Sequence, residues 1–186
     1  QSGTIPGQGI DVANFATGGN GSKADPWTGW EVAFSAVSGG NYFGQPTLTY
    51  FFRDGWFRTP NTMVPRADDV IYGTGPNSVI HYSGSGIGIN TSGTAGSPAL
   101  TDNISLRDFT LRSAGGTIGL SVYNTSRLRV VNVSIYGVVT YGDSETGWTT
   151  AGLSIGGNGA GYSVINFFDR LVSRAMAGDS VQFASG

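Results

Sequence analysis

The chain has no cysteine. That absence excludes thiol catalysis, a disulfide scaffold and cysteine-ligated zinc, although it does not fix a compartment. It has one histidine, His81, so a zinc centre built from several imidazoles is excluded as well. His81 stands in an apolar stretch between Ile80 and Tyr82 with no Gly-x-Ser-x-Gly elbow elsewhere, and is expected to be structural. Charge is scarce, with 10 Lys and Arg against 12 Asp and Glu and a net charge of -2. With no basic run, neither nucleic acid nor an anionic membrane is expected as a partner. No apolar run is long enough to cross a bilayer, so membrane insertion is not expected. No cofactor is called for. The Gly73-Thr74-Gly75 turn lacks the lysine of a phosphate loop and opens no helix, and no Asp cluster reaches the density of a calcium site.

What is abundant is glycine, 31 residues without a Gly-X-Y period, which excludes collagen. Serine, threonine and asparagine are plentiful too. Apolar residues make up 39%, enough to bury a core. A surface of hydroxyls and amides suits neutral or sugar-like ligands, and it suits a turn-rich all-β protein equally well. The chain begins at Gln1 rather than Met, and is expected to have been cut from a longer product such as a secretory precursor.

Three regions are expected within one domain. Residues 1–22 are a strand and a Gly-rich turn. Residues 23–40 hold a capping helix: Asp25 suits an N-cap and Pro26 a first helical position. Trp27, Trp30, Phe34 and Val37 give one apolar stripe at helical spacing, and Gly39-Gly40 ends it. Its two tryptophans are expected to cover the open end of a β stack, with Trp30 buried. Residues 41–186 read as short strands punctuated by turns such as Asp54-Gly55 and Gly75-Pro76-Asn77. Asn103 to Leu111 resembles Arg127 to Ile135, and aligning Asp108 with Asn132 sets the period of the repeat at about 24 residues. Val164 to Val172 is a looser third copy that aligns Asp169 with Asn132. A period of about 20–50 residues signals a solenoid, in which each coil buries its apolar face by stacking on the next. The repeated polar residues Asp108 and Asn132 are expected at turns, stacked as a ladder.

The order of these features resembles the pectin-lyase-like right-handed parallel β-helix family, in particular its pectate-lyase-3 branch found in phage tailspikes and secreted polysaccharide-acting proteins. Members open with a strand, a Gly-Asp-Gly-like turn, an acidic pair and a helix. Here Ile10 to Phe15 is followed by Gly19-Asn20-Gly21 and Ala24-Asp25, with Asn20 and Ala24 departing from the usual acidic residues. Tyr50-Phe51-Phe52-Arg53-Asp54-Gly55-Trp56-Phe57 stands for the strand, Pro-x-Gly turn and aromatic strand, with Arg53 replacing proline. Val70-Ile71-Tyr72-Gly73-Thr74-Gly75 and Ser78-Val79-Ile80 match the segment after it. The resemblance spans nearly the whole chain. It implies an N-terminal portion of an all-β, single-stranded β-helix, secreted or on a virion, acting on or binding polysaccharide. Family members run for several more coils, so a fragment or a self-associating subunit is expected, as a homotrimer or by end-to-end stacking.

No catalytic residue can be named. Polysaccharide cleavage needs paired carboxylates, or a base with Asp-bound calcium, and Asp102, Asp108, Asp143, Glu145, Asp169 and Asp179 all stay open. The candidate substrate-binding residues are Tyr141, Asp143, Glu145 and Trp148. They fall in Val138–Thr150, where the spacing from Asn132 to Asp169 exceeds one period by about 13 residues. Inserts on solenoids leave as loops and often form the binding face. Aromatic faces stack on sugar rings and carboxylates accept their hydroxyls. The rival outcome is that these aromatics fold back onto the stack or pack on another chain. Asn-x-Ser/Thr sequons at Asn20, Asn90, Asn103, Asn124 and Asn132 matter only if the source glycosylates exported proteins, and Asn132 falls within a coil strand. Three functions follow: a polysaccharide lyase or hydrolase whose active carboxylates lie in later coils, a non-catalytic glycan-binding adhesin, or a structural subunit that stacks into a fibre.

Overall fold

The computed structural model describes residues 9–35, 49–91, 101–123, 125–137, 147–156, 166–174 and 179–184. In chain order the strands are β1 (Ile10–Asp11), β2 (Thr49–Phe52), β3 (Gly55–Thr59), β4 (Val70–Gly73), β5 (Ser78–Tyr82) and β6 (Ile87–Asn90). Then come β7 (Thr101–Asp102), β8 (Ser105–Ser113), β9 (Ile118–Tyr123), β10 (Thr125–Ser126) and β11 (Arg129–Tyr136). The last are β12 (Ala151–Gly156), β13 (Phe167–Asp169), β14 (Val172–Arg174) and β15 (Asp179–Ala184). The protein is all-β with parallel sheets. Every strand pairing among the described residues is parallel, and the one antiparallel contact there is an isolated bridge from Gly18 to Thr28.

Three main ladders carry the structure. The first is β1-β2-β4, then the start of β8, the start of β11, and β13. The second is β3-β5, then the end of β8, the end of β11, and β14. The third is β6-β9-β12-β15. The chain visits them in the same order on each pass. Ser105 pairs with Arg129, one period further on, so the β8–β11 register is the repeat read from the sequence.

A left-handed residue turns the chain from the first ladder to the second. Asp108, Asn132 and Arg170 have φ of 61°, 54° and 50°. Asx side chains tolerate this region, and other side chains adopt it at a cost. The corner resets the strand alternation, so Leu106 and Phe109 both point inward although three residues apart. Val130 and Val133 repeat this, and all four are buried. Asn132 Nδ2 donates to Asp108 Oδ1 at 2.9 Å, the ladder anticipated for this pair. A second corner, before the first ladder, has Asp68, Asn103 and Arg127 at φ of 66°, 58° and 53°. There Asn103 Nδ2 donates to Asp68 Oδ1 at 2.8 Å. The third sequence copy is slipped by one residue: Asp169 pairs with Val131, so Arg170 and not Asp169 is the counterpart of Asn132.

The capping helix is corrected. Trp27 bridges Phe57 in parallel and Thr28 bridges Gly18, while α1 is a single turn, Val32–Ser35. Trp27 N–H donates to the Trp56 carbonyl and Arg58 N–H to the Trp27 carbonyl, so this backbone lies along β3 as a strand does. Gly29, at φ 71°, breaks the helical phase between Trp27 and Trp30. Its left-handed turn also lies so close to Thr17 that a Cβ would sit 2.0 Å from that hydroxyl. Residues 36–48 lie outside the described residues. Trp30 is buried as expected, edge-on to Phe52 and Phe57 at 5.3 and 6.0 Å, with its indole N–H donating to the Arg58 carbonyl at 3.0 Å.

Candidate functional site on the outer faces of the ladders

The residues proposed from the insert separate. Tyr141, Asp143 and Glu145 lie outside the described residues. Trp148 is described, and the exposure expected of it is corrected: the ring is fully buried. It stacks on Tyr82 at 5.8 Å with 17° between planes. Glycines leave the space it fills. A Cβ at Gly88 or Gly116 would stand 2.6 or 2.5 Å from the indole. Trp148 is therefore a core residue here, and sugar stacking by this ring is dropped.

The other open carboxylates are dispersed. Asp108 is held at its corner by Asn132 and by Arg107 at 3.6 Å. Asp169 pairs with Arg170 at 3.4 Å on an exposed turn, and Asp179 is exposed at the start of β15. Asp102 carries no described side chain, and Asp143 and Glu145 fall in the insert. Among the described residues no group of three or more His, Asp or Glu is placed to hold a metal ion.

The registers assemble a different set on the outer faces. In the second ladder, Arg58 pairs with His81 and His81 with Arg112, so three basic side chains follow one another on successive strands. Tyr136 follows Arg112. Each comes directly after an inward apolar residue, Phe57, Ile80, Leu111 and Ile135, and the strand alternation turns it outward. Arg58 Nε donates to His81 Nδ1 at 3.4 Å, which makes Nδ1 the acceptor nitrogen. Half-buried Trp56 meets His81 edge-on at 5.8 Å. The Arg112 guanidinium lies 5.1 Å and the Lys23 ammonium 5.6 Å from the Trp56 ring, within cation–π range. In the first ladder Phe51 packs on Tyr72 at 5.0 Å, and Arg107 lies 4.8 Å over the Tyr72 ring.

His81 itself is almost inaccessible at 3% exposure, which agrees with a structural part: it orients Arg58. This set was missed because Arg58, His81 and Arg112 come from three separate passes of the chain and meet only through strand register. The usable signal was the position immediately after each inward residue, but unequal loops hide that register.

One buried acid stands apart. Asp69 is pushed up from 3.8 to about 6, first by burial, with the neighbouring Asp68 charge adding to it and the Arg66 backbone N–H and Arg66 charge opposing it. Tyr50 beside it is pushed up to about 12, mainly by burial and then by the Asp69 charge.

No protein-family model matches the chain, and no similar curated protein or solved structure is found.

Proposed function

We propose that the chain is a right-handed single-stranded parallel β-helix that works outside the cell or on a virion, and that its outer surface binds polysaccharide. The fold part is supported by three parallel ladders visited in constant order and joined at left-handed corners. Location and class of partner come from the resemblance to tailspike-like and pectin-lyase-like proteins. The observation that carries the binding reading is the outer face formed by Trp56, Arg58 and Arg112, with buried His81 accepting a hydrogen bond from Arg58 beneath it. It sets a half-buried aromatic ring among hydrogen-bond donors that repeat along the stacking direction. A linear polymer of rings and hydroxyls meets such a row with stacking and directed hydrogen bonds, without a cofactor. Whether the bound chain is also cleaved, by a lyase or hydrolase step, is a separate property of the whole protein. Affinity electrophoresis through gels cast with a panel of neutral and acidic capsular polysaccharides tests the reading. Retardation by at least one member is expected, and migration unchanged by every member contradicts it. Assay of the same mixtures for reducing ends or unsaturated products separates cleavage from binding.

Self-association is a second reading, favoured by the last strands. Phe167, Val181 and Phe183 are 50%, 44% and 78% exposed, and Val181 and Phe183 continue columns that are apolar in the strands beneath them. A second copy stacked on these strands would cover them. Sedimentation velocity over a range of concentrations checks for it.

A further inference from the structure

We infer that the turn Arg66–Asp69 is a pH-operated latch on the first ladder, closed while the Asp69 carboxyl is protonated and opening on its own when that carboxyl ionises. Its first support is a carboxyl in an apolar column. Asp69 stands where the next two passes carry Ile104 and Leu128, and all three are buried. The second is the set of bonds that meets at this residue. Two close the turn on itself: the Arg66 N–H donates to Asp69 Oδ2 at 2.8 Å, and the Asp69 N–H donates to the Arg66 carbonyl at 3.2 Å. Two more fasten the turn to the following pass: the Ser105 N–H donates to the Asp69 carbonyl at 2.9 Å, and Asn103 Nδ2 donates to Asp68 Oδ1 at 2.8 Å. The third support is electrostatic. Among the described residues, the groups that face Asp69 are the Arg66 guanidinium and the Asp68 carboxylate on its own turn and the Tyr50 phenol on β2. Arg66 favours the anion and Asp68 opposes it. Burial decides the balance and lifts the carboxyl from 3.8 to about 6. A buried anion is relieved either by a proton or by water. Asp69 ends a connection between ladders, and Ala67 and Asp68 before it are exposed. Swinging the turn outward therefore breaks these bonds and leaves the stacked strands in place. Closing takes up a proton, because the carboxyl is the weaker acid in the closed turn. The closed form is favoured in acid, and opening gains as pH rises from 3.8 through about 6.

Amide hydrogen exchange of the whole chain, followed residue by residue by NMR, tests the latch. The reporter is the Ser105 N–H, held by the Asp69 carbonyl. The reference is the Thr117 N–H, which donates to the Gly86 carbonyl at 2.7 Å beside the third ladder. After correction for the intrinsic rise of exchange with pH, Ser105 should exchange faster than Thr117. Its rate should be indifferent to low concentrations of urea, as for a local opening that exposes little surface. Its protection should fall by about tenfold between pH 5 and pH 7.5, the change implied by a carboxyl at 3.8 in the open turn and about 6 in the closed one. Asp69→Asn keeps an oxygen for the Arg66 N–H and carries no charge, and should abolish that fall. Asp68→Asn, which removes the neighbouring exposed charge, should retain it. Should Asp69→Asn fail to fold, Asp69→Leu, which repeats the residue at Leu128, replaces it. Protection of Ser105 that is equal at both pH values, or that falls as steeply in the Asp69 variant, overturns the inference. So does a Ser105 amide that matches Thr117 in rate and in response to urea, because the turn would then open only with the whole molecule.

Discussion

At position 69 the chain puts a carboxyl where the next two passes have Ile104 and Leu128. The register that pairs Val70 with Ser105 and Ser105 with Arg129 aligns these three residues. All are buried, and desolvation of the anion is what raises the Asp69 pKa to about 6. The folded protein therefore holds this proton more tightly than the unfolded chain. The stability it contributes is complete below the ordinary value of 3.8 and is lost as pH rises through about 6. Asp69→Asn keeps an oxygen for the Arg66 backbone N–H and removes the charge. Its unfolding midpoint should exceed that of the parent above pH 6, with the difference closing as pH falls towards 3.8. A constant difference across that range would show that Asp69 is not the group responsible. Trp148→Ala should lower stability by roughly 3–5 kcal/mol in denaturant titration, because the emptied volume lies inside the core, and should leave polysaccharide affinity unchanged in the folded fraction. The sequence showed Trp148 beside carboxylates in a long insert. It could not show that Gly88 and Gly116, on earlier passes of the chain, leave room for the indole.

At the scale of the strand, the repeated unit is an inward residue, an outward residue, a left-handed corner, and then inward residues one and three places on. Leu106 to Leu111 and Val130 to Ile135 follow it closely, which made the period legible. The later copy was misaligned because Asp169 looks like the Asx residue of the corner while Arg170 occupies it. Arginine gains nothing from the left-handed conformation, whereas asparagine tolerates it. Arg170→Asn should therefore stabilise the protein by about 0.5–1 kcal/mol. Asn132→Ala, which loses both that tolerance and the bond to Asp108, should cost about 1–2 kcal/mol. Chemical denaturation measures both. The helix expected over residues 26–37 failed for a related reason. Spacings of three, four and three suggest a helical face, but Gly29 in the left-handed region lets Trp27 run along β3 and still delivers Trp30 to the core.

For the whole molecule, all-β class and parallel stacking were readable from period and texture, because each pass has to bury its apolar side chains against the next. The outer row around Trp56 was not readable, because strand register joins residues that unequal loops keep apart in sequence. Trp30 is buried edge-on to Phe52 and Phe57, and its replacement by Ala should cost roughly 3–5 kcal/mol in denaturant titration. The central claim is that the outer face around Trp56 meets polysaccharide. Hydroxyl-radical footprinting of the chain, with and without a polysaccharide that retards it, measures this residue by residue. Trp56 should lose reactivity on binding, and Trp30 and Trp148 should be unreactive throughout. Undiminished oxidation of Trp56, with protection gathered instead at Tyr141 in the 138–150 insert, would contradict the account.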